Sequence, residues 1–395
     1  MNHSSEPAPD GRPRWPVSRS FELDREDRAR DLDQEDRRQF DLLTSMELTE
    51  AEKRLAAEPD RRAPEAGELL AVHWHPEWAP LALIKERLKL SFPRAENRLV
   101  IPTQHNRVMV MDGWAGVEVD VYERRYGLKV QLLIHFPAAR LPRASAFLAM
   151  MNHTYNYRAH QLLDSLRALL DPETLSGDLK ASLKGSVSDQ GVELARFYAR
   201  RLTALIEETG ILGSSRDEML KNRLLPDFIR ARDQGESRLR EEALLFISAV
   251  KKKVKSRLNP DEFYSSREVI AEARRLGGGI VIPHPPLFWP VLLDDLDVDG
   301  WEIWNPSTPG HTLFILEALN RANESRGRRG RLLAFMGDDT HMSAKFRRKL
   351  SDEKDSGDRE IGFQDPWDDP RVQALLKEGR QSRQATLNEY RARMS

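Results

Sequence analysis

The stretch SREVIAEARRLGGGIVIPHPP, residues 266–286, decides the predicted fold class. Its first half has apolar residues at helical spacing, with serines before it that can cap a helix and three glycines after it that end one. The run IVIP that follows is typical of a short buried strand. Further along the chain, the strand-like segments DGWEIWN (299–305) and RLLAFMGDDTH (331–341) flank the helix-like segment HTLFILEALNRAN (311–323). We therefore expect strands that alternate with helices.

Such alternation predicts a parallel sheet or barrel, with its chemistry at the C-terminal ends of the strands. Short apolar runs upstream, such as LLAVHWH and KVQLLIHFP, are also typical of buried strands, whereas the middle of the chain has helical periodicity. The predicted fold class is α/β, with a large helical insertion between two parts of a barrel. The predicted segments are a charged N-terminal extension (1–64), the first barrel part (65–143), the helical insertion (144–262), the second barrel part (263–345) and a charged C-terminal extension (346–395).

Composition excludes several classes of function. The 395 residues include 62 Lys and Arg and 63 Asp and Glu, a net charge of -1 that gives no overall attraction to nucleic acid or anionic membranes. There is no cysteine, which excludes disulfides, thiolate zinc sites and cysteine nucleophiles. No apolar run is long enough to span a bilayer, so we expect no membrane partner and a cytoplasmic location.

The placement of the histidines is the most informative feature. His73 and His75 form an H-x-H pair, and on a strand both imidazoles project from one face. Further strand-like runs end in or beside a histidine, and two carboxylates accompany them. These additional residues are His105, Glu118, His135, His284, Asp339 and His341.

A cluster of histidine and carboxylate ligands suits Zn²⁺, Mn²⁺ or iron. A carboxylate in such a cluster can bridge two ions, and the ions can lower the pKa of a shared water. Hydrolysis is the reaction that this arrangement favours. Taken singly, each of these histidines is better explained as a core or surface residue, but that explanation does not account for all of them together.

The order of motifs resembles the PHP (polymerase and histidinol phosphatase) superfamily. The motifs are H-W-H (73–75), T-Q-H (103–105), G-V-E (116–118), I-H (134–135), I-P-H-P (282–285), G-W-E-I-W-N (300–305) and G-D-D-T-H (337–341). The resemblance implies a distorted (β/α)7 barrel and a metal-dependent phosphoesterase in which a metal-bridging hydroxide attacks the phosphate ester. It covers residues 68–135 and 265–345.

The resemblance also implies roles for individual residues. His73, His75, Glu118 and Asp339 would bind one ion, with Glu118 bridging to a second. His105, His135, His284 and His341 would complete the second and third sites. The predicted catalytic residues are His73, His75, Glu118, Asp339 and His341, and the predicted cofactors are two divalent ions of Mn, Fe or Zn, with a third left open.

Departures from the family's pattern concern the third ion. Ala71 and Gln104 stand where the family usually has aspartates, and Pro80 and Leu81 stand where it has a further ligand. Glu77 could substitute, but we expect this glutamate to face solvent.

Several alternatives stay open at the level of sequence. Six tryptophans flank the motifs and could stack a nucleobase or simply pack. The basic segments at Lys251–Lys253 and Arg328–Arg329 could bind the backbone of a single-stranded nucleic acid, which would make the protein a nuclease. The predicted partner is otherwise a phosphorylated small molecule or a nucleotide, and the helical insertion could bind a protein. A third hypothesis is a PHP-like scaffold without catalysis.

Overall fold

A computed structural model describes residues 32–171, 179, 183, 185–256, 259–326, 330–346 and 358–395. The helices are α1 (Gln34–Thr44), α2 (Glu50–Ala57), α3 (Leu81–Ser91), α4 (Ser145–Leu170), α5 (Asp189–Thr209), α6 (Leu224–Arg232), α7 (Ser237–Lys255), α8 (Ser266–Arg275), α9 (Thr312–Arg326), α10 (Met342–Phe346), α11 (Pro370–Glu378) and α12 (Arg383–Arg393). The strands are β1 (Glu68–Ala71), β2 (Trp74–His75), β3 (Asn97–Val100), β4 (Gln104–His105), β5 (Met109–Met111), β6 (Trp114–Glu123), β7 (Leu128–Pro137), β8 (Gly279–Ile282), β9 (Gly300–Trp304), β10 (Leu333–Met336) and β11 (Thr340–His341). The chain thus has a mixed α/β fold.

The chain forms two compact units. One contains Leu48–Tyr155 and Asn259–Ser395, and we call it the sheet unit. The other contains Met1–Glu47 and Asn156–Leu258, and we call it the helical unit. Every predicted site residue belongs to the sheet unit.

The largest sheet has seven strands, in the order β10-β9-β8-β7-β6-β4, with β5 also paired to β6. Strands β8, β9 and β10 are mutually parallel, as the sequence predicts, but β7 is antiparallel to both β6 and β8. The parallel arrangement does not extend to β7, because residues 124–127 join β6 to β7 in a tight turn that is too short for a parallel crossover. Two further parallel pairs, β1 with β3 and β2 with β11, form separate sheets among the described residues, and closure into a barrel stays a prediction.

The helix-to-strand unit that the sequence predicts at residues 266–286 is present. Ser265 caps α8 by accepting a hydrogen bond from the backbone N–H of Glu268, whose carboxylate accepts from the N–H of Ser265. Gly277 has a φ of +62°, which ends the helix. Strand β8 begins two residues later, so its C-terminal end projects directly into the segment that contains His284.

The sequence analysis expected a charged extension at residues 346–395, but the residues at the C-terminal end pack into the fold. Leu387 and Tyr390 of α12, and Met394 directly after it, are buried in the main core of the sheet unit, together with residues of β8 and β10. Their spacing places these three residues on one face. Arg393 pairs with Glu389 and Asp299, and Arg391 donates to Asn97 and to the carbonyl of Arg98. The charged side chains of this packed helix are therefore paired rather than free in solvent. Residues 347–357 lie outside the described part of the chain.

The helical unit has its own hydrophobic core, formed by α1 and by helices of the insertion. Helix α1 belongs to this unit although the sequence analysis placed it in an N-terminal extension. Phe40 is fully buried, and the buried carboxylate of Asp36 pairs with Arg201 and with Arg232, whose Nε lies 2.6 Å from Oδ1. The remainder of the predicted extension, residues 1–31, lies outside the described residues. Within the described ranges, no helix combines the length and the apolar character needed to cross a membrane.

Candidate metal centre

Strand pairing brings most of the predicted site residues together. In the parallel pair β2–β11, His75 lies opposite His341, and in the pair β4–β6, His105 lies opposite Glu118. We call the resulting candidate site the metal centre. Most of its members lie at or beside the ends of strands, and Glu118 lies within β6. They are His73, His75, His105, Glu118, His284, Asp339 and His341.

The two oxygens of Glu118 face different histidines. Oε1 lies 3.8 Å from Nε2 of His73 and 3.7 Å from Nε2 of His284. Oε2 lies 2.6 Å from Nδ1 of His105 and 3.5 Å from Nε2 of His75. Glu118 is therefore placed to share its two oxygens between two sets of imidazoles, which is the arrangement of a bridging carboxylate.

Asp339 faces three histidines of the metal centre. Its Oδ1 lies 3.5 Å from Nε2 of His73, 3.4 Å from Nε2 of His75 and 3.6 Å from Nε2 of His341. Its Oδ2 accepts a hydrogen bond of 3.0 Å from Nη1 of Arg359. The backbone N–H of Asp339 donates to the carbonyl of His73, which fixes the loop against the H-x-H segment.

Backbone strain is concentrated around these residues. Four residues in or next to the metal centre have positive φ values, which residues other than glycine rarely adopt. They are Glu77 (+52°), Asn106 (+53°), His284 (+30°) and Asp339 (+47°). Strain of this kind is tolerated where the surrounding structure fixes the geometry, and it occurs frequently at functional sites.

The imidazole of His75 is packed between two others. Its ring centroid lies 4.5 Å from that of His105 and 4.3 Å from that of His341, and both pairs are stacked. Burial lowers the pKa of His75 to about 3, with positive charge on His341 and His105 acting in the same direction. His75 is consequently neutral, which is the form that binds a metal ion.

The carboxylates of Glu118 and Asp339 are ionised although they are buried. Burial would raise the pKa of Glu118 and of Asp339, but the surrounding histidines outweigh it and hold both values well below their usual range. Burial would likewise lower the pKa of His73, yet Glu302 and Asp339 raise it to about 10. The site therefore attracts positive charge, from protons or from metal ions that replace them.

The donor set fits divalent ions. In the described part of the chain, Nε2 of His73 and both ring nitrogens of His75 are buried without a hydrogen-bond partner. Two groups, His75–His105–His341 and His73–His75–Glu118, each offer ligand atoms within 4.8 Å of one another. Imidazole nitrogens with carboxylate oxygens are the donors that Zn²⁺, Mn²⁺ and iron accept.

His135 lies apart from the metal centre. Its Nδ1 is 2.7 Å from the hydroxyl of Tyr390 and its Nε2 is 2.9 Å from the carbonyl oxygen of Val72. A carbonyl can only accept, so Nε2 donates its proton and Nδ1 accepts from the tyrosine. With both nitrogens engaged, His135 is not brought into the ligand set that the resemblance implies for it.

Glu302 is a site residue that the sequence analysis quoted in a motif but did not assign. Its Oε1 lies 2.7 Å from Nδ1 of His73, and its Oε2 accepts from the backbone N–H of His284 at 2.9 Å and from Nδ2 of Asn305 at 3.1 Å. The carboxylate thus directs Nε2 of His73 toward the metal centre. The available sequence signal was a glutamate within the otherwise apolar strand β9.

Glu77 is buried, and the expectation that it faces solvent is wrong. Its side chain is only 5% exposed, and its Oε2 accepts a 3.0 Å hydrogen bond from the N–H of Ser343. Its Oε1 lies 3.7 Å from Nδ1 of His341. The positive φ of Glu77 turns the chain back toward α10, which brings the carboxylate behind His341 as Glu302 lies behind His73.

The weaker sequence signals have mixed outcomes. Trp74, Trp78 and Trp301 are buried in packing, whereas Trp289 is 37% exposed. Arg328 and Arg329, which the nucleic-acid hypothesis used, lie outside the described residues.

No protein-family profile matches the sequence. No curated protein matches it either. Among solved structures, the chain is similar to the crystal structure of a "putative metal-dependent phosphoesterase" from Bifidobacterium adolescentis, with 15% sequence identity, a TM-score of 0.41, and coverage of 80% of this chain and 97% of that one. The function proposed for this chain therefore rests on its own site residues.

Proposed function

We propose that the protein is a metal-dependent hydrolase of phosphate esters. The observation that supports this most directly is the position of Glu118, whose two oxygens face two different sets of histidines within a buried group of nitrogen and oxygen donors. The order of the motifs, which resembles the PHP superfamily, supports the same activity.

The residues divide into two roles. Those of the metal centre would hold two divalent ions, with Glu118 between them. Glu302 orients the ring of His73 through a 2.7 Å hydrogen bond, and Glu77 places a carboxylate 3.7 Å from the ring of His341. When bound, such ions lower the pKa of a coordinated water and neutralise phosphoryl oxygens.

The chain's own contribution is positional. His73, His75 and Glu118 are at most 1% exposed, so their nitrogen and oxygen atoms are fixed by packing and shielded from bulk water. A rigid and partly dry donor set keeps charge stabilisation strong, because the local dielectric is low. The resident carboxylates also disfavour an anion unless cations are present, so we expect activity to depend strictly on metal.

A reconstitution assay tests this proposal. Protein stripped with a chelator is reloaded with Mn²⁺, Fe²⁺ or Zn²⁺ and given p-nitrophenyl phosphate and bis(p-nitrophenyl) phosphate. We expect metal-dependent turnover of at least one ester, and its loss in Glu118→Gln. The control Glu268→Gln makes the same change at the cap of α8 and should keep wild-type turnover.

The two esters also separate the alternatives. Preference for the monoester favours a phosphomonoesterase, and preference for the diester favours the nuclease hypothesis. If the wild type hydrolyses neither ester with any of the three metals, the proposal is wrong and the scaffold hypothesis gains support.

A further inference from the structure

The metal centre is not uniformly buried. His73, His75 and Glu118 are at most 1% exposed, whereas the side chains of Asp339, His105 and His341 are 13%, 15% and 27% exposed. Asp339 and His341, whose Oδ1 and Nε2 atoms lie 3.6 Å apart, form one open side, past which a substrate can reach the donor atoms.

Arg359 stands on this open side. Its Nη1 lies 3.0 Å from both Oδ2 and the carbonyl oxygen of Asp339, which fixes one corner of the guanidinium. Its Nη2 lies 3.5 Å from Oγ of Ser307, too long for a strong hydrogen bond. Ser307 in turn donates to Oδ2 of Asp339 at 3.3 Å.

This arrangement leaves part of the hydrogen-bonding capacity of Arg359 unused. A guanidinium has five N–H groups, and the contacts to Asp339 use only those on Nη1. Among the described residues, the edge formed by Nη2 and Nε has only the distant Ser307 hydroxyl as a partner. That edge is the part of an arginine that binds a phosphate through two parallel hydrogen bonds.

We propose that Arg359 binds the phosphoryl group of the substrate beside the metal centre. This inference rests on the proposed function and adds to it the residue that recognises the phosphate. The two oxygens of Asp339 have different partners in this arrangement. Oδ1 faces the histidines, and Oδ2 accepts the hydrogen bond that fixes Arg359.

Phosphate binding tests the inference without requiring a known substrate. Inorganic phosphate is titrated calorimetrically into the metal-loaded wild type, Arg359→Gln, Arg359→Lys and the control Arg371→Gln, which removes an exposed arginine of the same unit that pairs with Asp369. We expect the Kd for phosphate to rise about tenfold or more in Arg359→Gln, the loss expected for a charge-assisted hydrogen bond. Arg359→Lys should be intermediate, and the control should match the wild type.

Metal content, measured on the same samples, separates binding from positioning. We expect both Arg359 variants to keep the wild-type metal content. Loss of metal from both would overturn the inference, since Arg359 would then only position Asp339. A Kd within twofold of wild type in Arg359→Gln, or a wild type that binds no phosphate, would also overturn it. If phosphate binds through Arg359 but no ester is hydrolysed, the inference stands and the proposed function fails.

Discussion

Replacing Glu302 by glutamine should weaken metal binding, although this side chain is not itself a predicted ligand. The carboxylate accepts hydrogen bonds on both oxygens, from Nδ1 of His73 on one and from His284 and Asn305 on the other. An amide has one oxygen and one NH₂ group, so it cannot accept at both positions.

Either orientation of the glutamine leaves a conflict. If its NH₂ group faces His284, the buried backbone N–H of that residue loses its acceptor. If it faces His73, the ring proton must move to Nε2, the nitrogen directed at the metal centre. A buried unsatisfied donor costs about 1–3 kcal/mol. This agrees with the loss of about 10- to 100-fold in metal affinity that is typical when the partner of a ligating histidine is removed.

The assay is competition for Zn²⁺ or Mn²⁺ against a chromogenic chelator, with Glu268→Gln as the matched control. Thermal unfolding of each metal-free protein establishes that the fold is retained. An affinity within twofold of wild type in Glu302→Gln would refute the reasoning, because it would mean that the contact with His73 does not orient the ring.

Three further predictions concern other contacts. A methyl group at Gly337 would overlap the carboxylate of Glu302, so Gly337→Ala should lower metal affinity in the same chelator competition while Glu302 itself is kept. Tyr390→Phe removes the buried partner of His135 and should cost about 1–3 kcal/mol in urea unfolding, with unchanged metal content; lost metal would instead place His135 among the ligands. In the helical unit, Asp36→Ala should lower the free energy of unfolding in urea by about 2 kcal/mol, because two partly exposed arginines share this carboxylate. This value lies between those typical of exposed and of buried ion pairs. An unchanged free energy of unfolding would show that the pairing is energetically neutral.

Sequence reasoning predicted the parts of the fold that depend on local signals. The helix cap at Ser265, the glycines after α8 and the short apolar run of β8 are all local, and the structure contains the predicted helix and strand. The histidines at strand ends could be noticed for the same reason, because strand ends are visible in the pattern.

What the sequence could not predict depends on contacts between distant residues. His135 ends an apolar run as His284 does, and only Tyr390, near the end of the chain, shows that its nitrogens are engaged elsewhere. The burial of Glu77 depends on a left-handed backbone conformation that no local residue preference predicts. Charge density suggested a solvated C-terminal extension, yet one apolar face of α12 is enough to pack that helix into the core.

The metal content of the purified protein is the measurement that tests the central claim most directly. Elemental mass spectrometry is applied to the wild type, to the double variant His73→Ala/His75→Ala, and to His311→Ala, which removes an exposed histidine outside the metal centre. We predict two or more equivalents of Mn, Fe or Zn in the wild type and in His311→Ala, and their loss from the double variant. A wild type that holds no metal after incubation with excess Mn²⁺ or Zn²⁺, or a double variant that keeps its full metal content, would contradict the account.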